Sequence, residues 1–303
     1  LSLKHISKYL IGTLLIVASS CIAVQANSNM SATITYENIA YGKHPNQIID
    51  FWKADTKEPA PLVIYIHGGG FRGGSHDKVD GKKIEKYLKN GVHHASIEYR
   101  LLKHANFPAA HEDVVRALQF IRSKADEWNI DKNRIAAYGG SAGGQLVSYL
   151  AWHDDFADPL SEDPISRESS RLTAVAPRGA QSTMDLNWWV ENIPGYQRSF
   201  SKYADSSKPG VAEMIKELSI INHISADDPP TFMSYGMKPD AKIPKKRKSV
   251  RGWAIHHVNF GLAMQEQLKK NGIEAHLTYP GNKTAFKNEV EFLLHHLKTV
   301  QAD

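Results

Sequence analysis

Apolar residues along this chain cluster in short runs separated by longer segments of helical period. Leu62-Val63-Ile64-Tyr65-Ile66 is an unbroken apolar run, the pattern of a strand buried on both faces. Ser31 to Tyr41 and Gln47 to Trp52 predict two earlier strands joined at Lys43-His44-Pro45-Asn46. A helix is expected over Lys82 to Asn90, a strand over His93 to Glu98, and one long helix over Ala109 to Trp128. Val114, Leu118 and Ile121 share a face of that long helix. Strands are also expected near Leu172 to Ala176, Thr231 to Tyr235 and Ala275 to Tyr279. Further helices are expected over Val211 to Leu218, Val258 to Asn271 and Lys287 to Val300. Strand and helix alternate, which predicts an α/β fold with a mostly parallel sheet and helices on both faces. Patterning weakens over residues 177–230, read as a cap-like insertion over the strand ends. It holds Trp188-Trp189, expected to serve packing more than ring stacking on a ligand.

One junction carries chemistry. Arg134 to Tyr138 is a short apolar strand, Gly139-Gly140-Ser141-Ala142-Gly143-Gly144 a glycine-crowded turn, and Gln145-Leu146 opens a helix to about Trp152. Gly139, Ser141 and Gly143 have the G-x-S-x-G spacing in the strand-to-helix context of a nucleophile elbow. A strand turning straight into a helix strains its apex residue, and glycines two before and two after remove the clashes. Ligands of such sheets bind at the carboxyl ends of the strands, where this turn puts Ser141. His67-Gly68-Gly69-Gly70 follows a buried strand at the same end. Amides of Gly69 and Gly70, with that of Ala142, are the candidate oxyanion donors. A phosphate loop would need the lysine of G-x-x-x-x-G-K-[ST], which is missing.

Residues 60 to 150 thus resemble the α/β-hydrolase superfamily, in particular its hormone-sensitive-lipase-like and feruloyl-esterase-like secreted esterases. The matching segments are His67-Gly68-Gly69-Gly70, Tyr99-Arg100-Leu101, Phe107-Pro108-Ala109-Ala110 with Asp113, and the Gly139 to Gly144 turn. The resemblance implies an α/β-hydrolase fold and carboxylic-ester hydrolysis through an acyl-enzyme, without cofactor or metal. It gives His67 the task of ordering the oxyanion loop. It also implies a triad acid after a strand and small-residue turn, ahead of a proline. Asp240 fits if one residue is inserted, with Asp227 and Asp228 as weaker alternatives.

The base departs from the family pattern. Where the family reads P-G-x-x-H-x-F, this chain reads Pro280-Gly281-Asn282-Lys283-Thr284-Ala285-Phe286, and Thr284 stands at the histidine position. A threonine hydroxyl is no stronger a base than the serine it would activate. Among the fifteen histidines, His256-His257 precedes a helix at the active-site rim, and His257 is taken first as substitute base. A serine esterase requires an imidazole nitrogen within about 4 Å of Ser141 Oγ. The alternative is a non-catalytic α/β-hydrolase-fold binding protein that lost the triad histidine. The substrate expected is a small acyl ester, with a polysaccharide as one carrier of it.

Charge and the first residues adjust this picture slightly. The net charge is +5, but Lys242, Lys245, Lys246, Arg247, Lys248 and Arg251 supply six positives, and subtracting them leaves −1. That loop reads as solvated surface, with attraction to an acidic polymer as the alternative and no nucleic-acid role expected. Lys4 and Lys8 precede sixteen uncharged residues, Tyr9 to Val24, short of the roughly 20 of a membrane span. With small residues at Val24-Gln25-Ala26, residues 1–26 read as a secretory signal peptide, 27–303 as the hydrolase domain, and the protein as exported. An uncleaved anchor is the alternative. Cys21, the single cysteine, would leave with the signal, which excludes disulfides, thiolate metal ligands and a cysteine nucleophile from the mature chain.

Overall fold

The computed structural model describes residues 32–197 and 209–299. Residues 1–31, which include the segment 1–26 read as a signal peptide, residues 198–208 of the stretch read as a cap-like insertion, and residues 300–303 lie outside them. Eight strands form one sheet: β1 (Tyr36–Ala40), β2 (Ile48–Trp52), β3 (Ala60–Ile66), β4 (His93–Ile97), β5 (Ile130–Gly140), β6 (Ala174–Arg178), β7 (Thr231–Ser234) and β8 (Ala275–Thr278). Their order is β1-β2-β4-β3-β5-β6-β7-β8. β1 and β2 join antiparallel at one edge, and every pair from β4 to β8 is parallel. The parallel strands therefore all end on one rim, which gathers the loops after Ile66, Gly140, Arg178 and Ser234.

Nine helices are described: α1 (Gly81–Lys89), α2 (Ala109–Ser123), α3 (Ala125–Trp128), α4 (Ala142–Trp152), α5 (Leu186–Asn192), α6 (Val211–Leu218), α7 (Arg247–Ala254), α8 (Val258–Lys270) and α9 (Glu289–Thr299). The period-2 alternation of the strands divides the core. Leu62, Ile64 and Ile66 face one cluster with Leu118 and Leu146, and Val63 faces the other with Tyr87, Phe292 and Leu293. Every residue of α4 is buried, so the helix behind Ser141 is core on all sides. Fully burying each Leu or Val there contributes roughly 1.5–3 kcal/mol, which makes the elbow's foundation rigid.

Three expectations change. The long helix over Ala109 to Trp128 breaks at Lys124 into α2 and α3. The first strand is shorter than Ser31 to Tyr41. The stretch read as a basic loop contains α7, which packs on the core through Trp253 and the fully buried Ala254. Its lysines and arginines had hidden that apolar face. Trp189 packs as expected, edge-on to Phe260 at 5.1 Å with Nε1 donating to Thr183 O at 2.7 Å.

Candidate active site

Ser141 sits between β5 and α4 with φ 55° and ψ −120°, a conformation costing about 1–3 kcal/mol for a non-glycine residue. Its surroundings hold it there. Ser141 N donates to Arg178 O at 2.8 Å, and Gln145 N donates to Ser141 O at 2.9 Å. A Cβ on Gly143 would lie 2.1 Å from Ile66 O, and one on Gly139 2.6 Å from the same oxygen. Both positions demand glycine, the steric reason behind the G-x-S-x-G spacing.

The loop after β3 lies against this turn. A Cβ on Gly68 would fall 2.4 Å from Gly140 O. Gly69 has φ 121°, Gly70 φ 61°, and the N–H groups of Arg72 and Gly73 both donate to Gly69 O. Gly69, Gly70 and Ala142 line the same cleft as Ser141. Ala142 is the first residue of α4, so its N–H has no partner within the helix and forms part of the positive end of its dipole.

A buried network fixes the loop from behind. His67 stacks on Tyr99 at 4.3 Å, and its Nε2 lies 3.1 Å from Glu98 Oε1. Glu98 Oε2 is 3.1 Å from His76 Nδ1, and His76 Nε2 is 3.3 Å from Asp50 Oδ2. Burial works against the Glu98 charge, but hydrogen bonds from His67 and His76 outweigh it and hold the carboxyl well below the usual carboxylate range. Burial likewise opposes charge on His76, and the bonds to Asp50 and Glu98 raise its pKa to about 9. His67 thus faces away from Ser141 and cannot serve as its base.

The imidazole at Ser141 belongs to His256. Its Nε2 is 2.8 Å from Ser141 Oγ, and its Nδ1 is 2.8 Å from Gly252 O. Gly252 lies in the last turn of α7, whose carbonyls have no N–H partner within the helix. With Nδ1–H donating to that carbonyl, Nε2 keeps its lone pair for the serine proton.

His257, the sequence-predicted base, is elsewhere. It is the N-cap of α8, fully buried, with Nδ1 accepting from Asn259 N at 3.2 Å. Burial pushes its pKa down, and the ring turns toward Trp253 at 4.8 Å. Asp240 is not brought to the imidazole either. It is exposed in a turn after β7 and makes no hydrogen bond or ion pair with any described residue. Nor do the alternatives reach it: Asp227 and Asp228 pair with Arg171. Thr284 donates to Phe286 O at 2.7 Å, closing its own turn. Two signals could have found the true arrangement. Gly252 and His256 stand at i, i+4, and Val250, Trp253 and Ala254 mark an apolar helix face.

Ser141 and His256 lie at the junction of two lobes. One, about 590 Å³, is lined by Phe71, Leu102, Phe107, Met184, Trp189 and Ile255 among others. The second, about 460 Å³, is bounded by Tyr65, Arg178, Ser234, Tyr235 and Met237. Among the described residues, one group with metal-ligand chemistry occurs, His153, Glu217 and His223, outside both lobes. Its internal bonds satisfy it: His153 Nε2 lies 3.0 Å from Glu217 Oε1, and His223 Nε2 2.7 Å from Glu217 O.

Comparison with known proteins gives a family and a shared fold. Residues 49–251 match the family model described as BD-FAE. Esterase LipC of Mycobacterium tuberculosis is 26% identical over 215 residues, 68% of this chain and 51% of that protein. The chain thus spans about half the length of this relative. Among solved structures, a truncated carbohydrate esterase from gut microbiota superposes with TM-score 0.65 at 19% identity, over 89% of this chain and 99% of that one. An acetyl ester-xyloside bifunctional hydrolase from Caldicellulosiruptor lactoaceticus gives TM-score 0.60 at 20% identity, over 82% and 85%. At such identities the structures establish a shared α/β-hydrolase fold.

Proposed function

This chain belongs to the BD-FAE family, and on that premise and the geometry at Ser141 we propose that it hydrolyses carboxylic esters through a serine acyl-enzyme. The observation that carries the proposal is the 2.8 Å contact of Ser141 Oγ with His256 Nε2. His256 takes the serine proton as Oγ attacks the ester carbonyl. Amides of Gly69, Gly70 and Ala142 receive the negative charge of the tetrahedral intermediate. The imidazolium then protonates the leaving alcohol, and a water molecule, activated in turn by His256, releases the acid.

Names of the relatives and neighbours support a small acyl ester carried on a saccharide. The basic start and the uncharged run from Tyr9 to Val24 support export. The test is hydrolysis of 4-nitrophenyl acetate by the purified protein and its Ser141→Ala variant. Turnover that falls by at least about three orders of magnitude in the variant supports the proposal. No turnover of any short ester by the wild type makes the chain a binding protein that keeps the pocket.

A further inference from the structure

Arg178 ends β6, and its Cα pairs in register with that of Gly140, the residue before the candidate nucleophile. A Cβ on Gly140 would come within 3.3 Å of the Arg178 guanidinium, which therefore lies folded over the elbow. The side chain is exposed and makes no hydrogen bond or ion pair with any described residue. It lines the smaller lobe together with Ser141 and His256. The larger lobe is lined by two more arginines, Arg72 and Arg251. Among the described residues, no aspartate or glutamate lines either lobe. Arg251 belongs to the segment holding Lys242, Lys245, Lys246 and Lys248, so the strongest run of positive charge in the chain reaches the cleft.

A lobe lined by an exposed guanidinium, with no carboxylate among its described lining residues, attracts anions and repels cationic substrates. A planar guanidinium whose N–H groups make no hydrogen bond to the described residues matches a carboxylate through two parallel hydrogen bonds. We propose that Arg178 makes the smaller lobe selective for esters that carry a carboxylate near the scissile bond. This rests on the ester-hydrolase reading above. The carboxylate can sit on the acyl group, as in a hemiester of a dicarboxylic acid, or on the alcohol, as in an acetylated uronic acid.

Two matched substrate pairs test the proposal and separate these sources. 4-Nitrophenyl hydrogen succinate against its methyl ester places the charge on the acyl side. An O-acetylated uronic acid against the equally acetylated neutral hexose places it on the alcohol side. In one pair the anionic member is expected to show kcat/KM about tenfold higher, carried by KM and weakened by salt. Arg178→Gln should erase that ratio, and Arg178→Lys should keep part of it. The ratio within one variant is independent of how much active protein it yields. Equal rates within both pairs, or a preference that survives Arg178→Gln, overturn the charge selection while leaving the esterase. Absence of turnover of the neutral esters as well overturns the esterase reading and the selection with it.

Discussion

His256 Nε2 and Ser141 Oγ lie 2.8 Å apart although 115 positions separate them in the sequence. The contact joins the apex of the β5–α4 turn to the end of α7, two points fixed by different elements. A serine on a rigid core helix and an imidazole anchored to a helix terminus need no loop to move before a proton can pass between them.

The imidazole is oriented by a main-chain carbonyl, since His256 Nδ1 faces Gly252 O at 2.8 Å. Asp240→Asn should therefore change kcat/KM by less than about threefold, against the loss of roughly 10⁴ that follows when a triad aspartate is removed. Steady-state kinetics on a chromogenic ester measures it. A loss of two orders of magnitude or more would show that Asp240 reaches the imidazole during turnover.

The elbow depends on a glycine whose Cβ has no room. Gly143→Ala would bring a methyl group 2.1 Å from Ile66 O and 2.6 Å from His67 O, both backbone atoms. Overpacking of this kind should cost roughly 2–4 kcal/mol and lower Tm by about 5–15 °C. Gly81→Ala is the control, because a Cβ there meets nothing within 4 Å. Equal melting temperatures for the two variants would contradict the packing described for the turn.

The buried network behind the loop that follows β3 sets a pH window. His76 is raised to about 9 from an ordinary value near 6.5. Its contribution to stability is fully present below the ordinary value and is lost as pH rises through 9. Glu98 is held low by His67 and His76 against burial, so its contribution is present above the ordinary carboxylate range and lost in acid. Urea midpoints should fall between pH 7 and 10 in the wild type, and fall less in His76→Gln. Parallel curves for the two proteins would remove His76 from the account.

The sheet and the elbow were legible because they rest on local rules. Apolar runs mark buried strands, and the glycine spacing around Ser141 follows from backbone clashes that any such turn would have. The base was not legible to one residue. His256 and His257 are adjacent, and which ring faces the serine depends on where α7 ends and α8 begins. His257 is turned inward by capping α8 through Asn259 N, leaving His256 at the rim. A carbonyl has no side-chain signature, so the Gly252 partner could come only from recognising α7 within its run of lysines and arginines. Thr284 closes its own turn onto Phe286 O, and Asp240, the acid inferred from the family pattern, stays in solvent.

The measurement that bears most directly on this site is covalent labelling with a fluorophosphonate, comparing the wild type with Ser141→Ala, His256→Ala and His257→Ala. The geometry predicts rapid labelling of the wild type, none of Ser141→Ala, and labelling slowed by at least about a hundredfold in His256→Ala. In His257→Ala, once its folding is verified by circular dichroism, labelling should persist. Loss of labelling in a folded His257→Ala with normal labelling of His256→Ala would contradict the assignment of His256 as the base of Ser141.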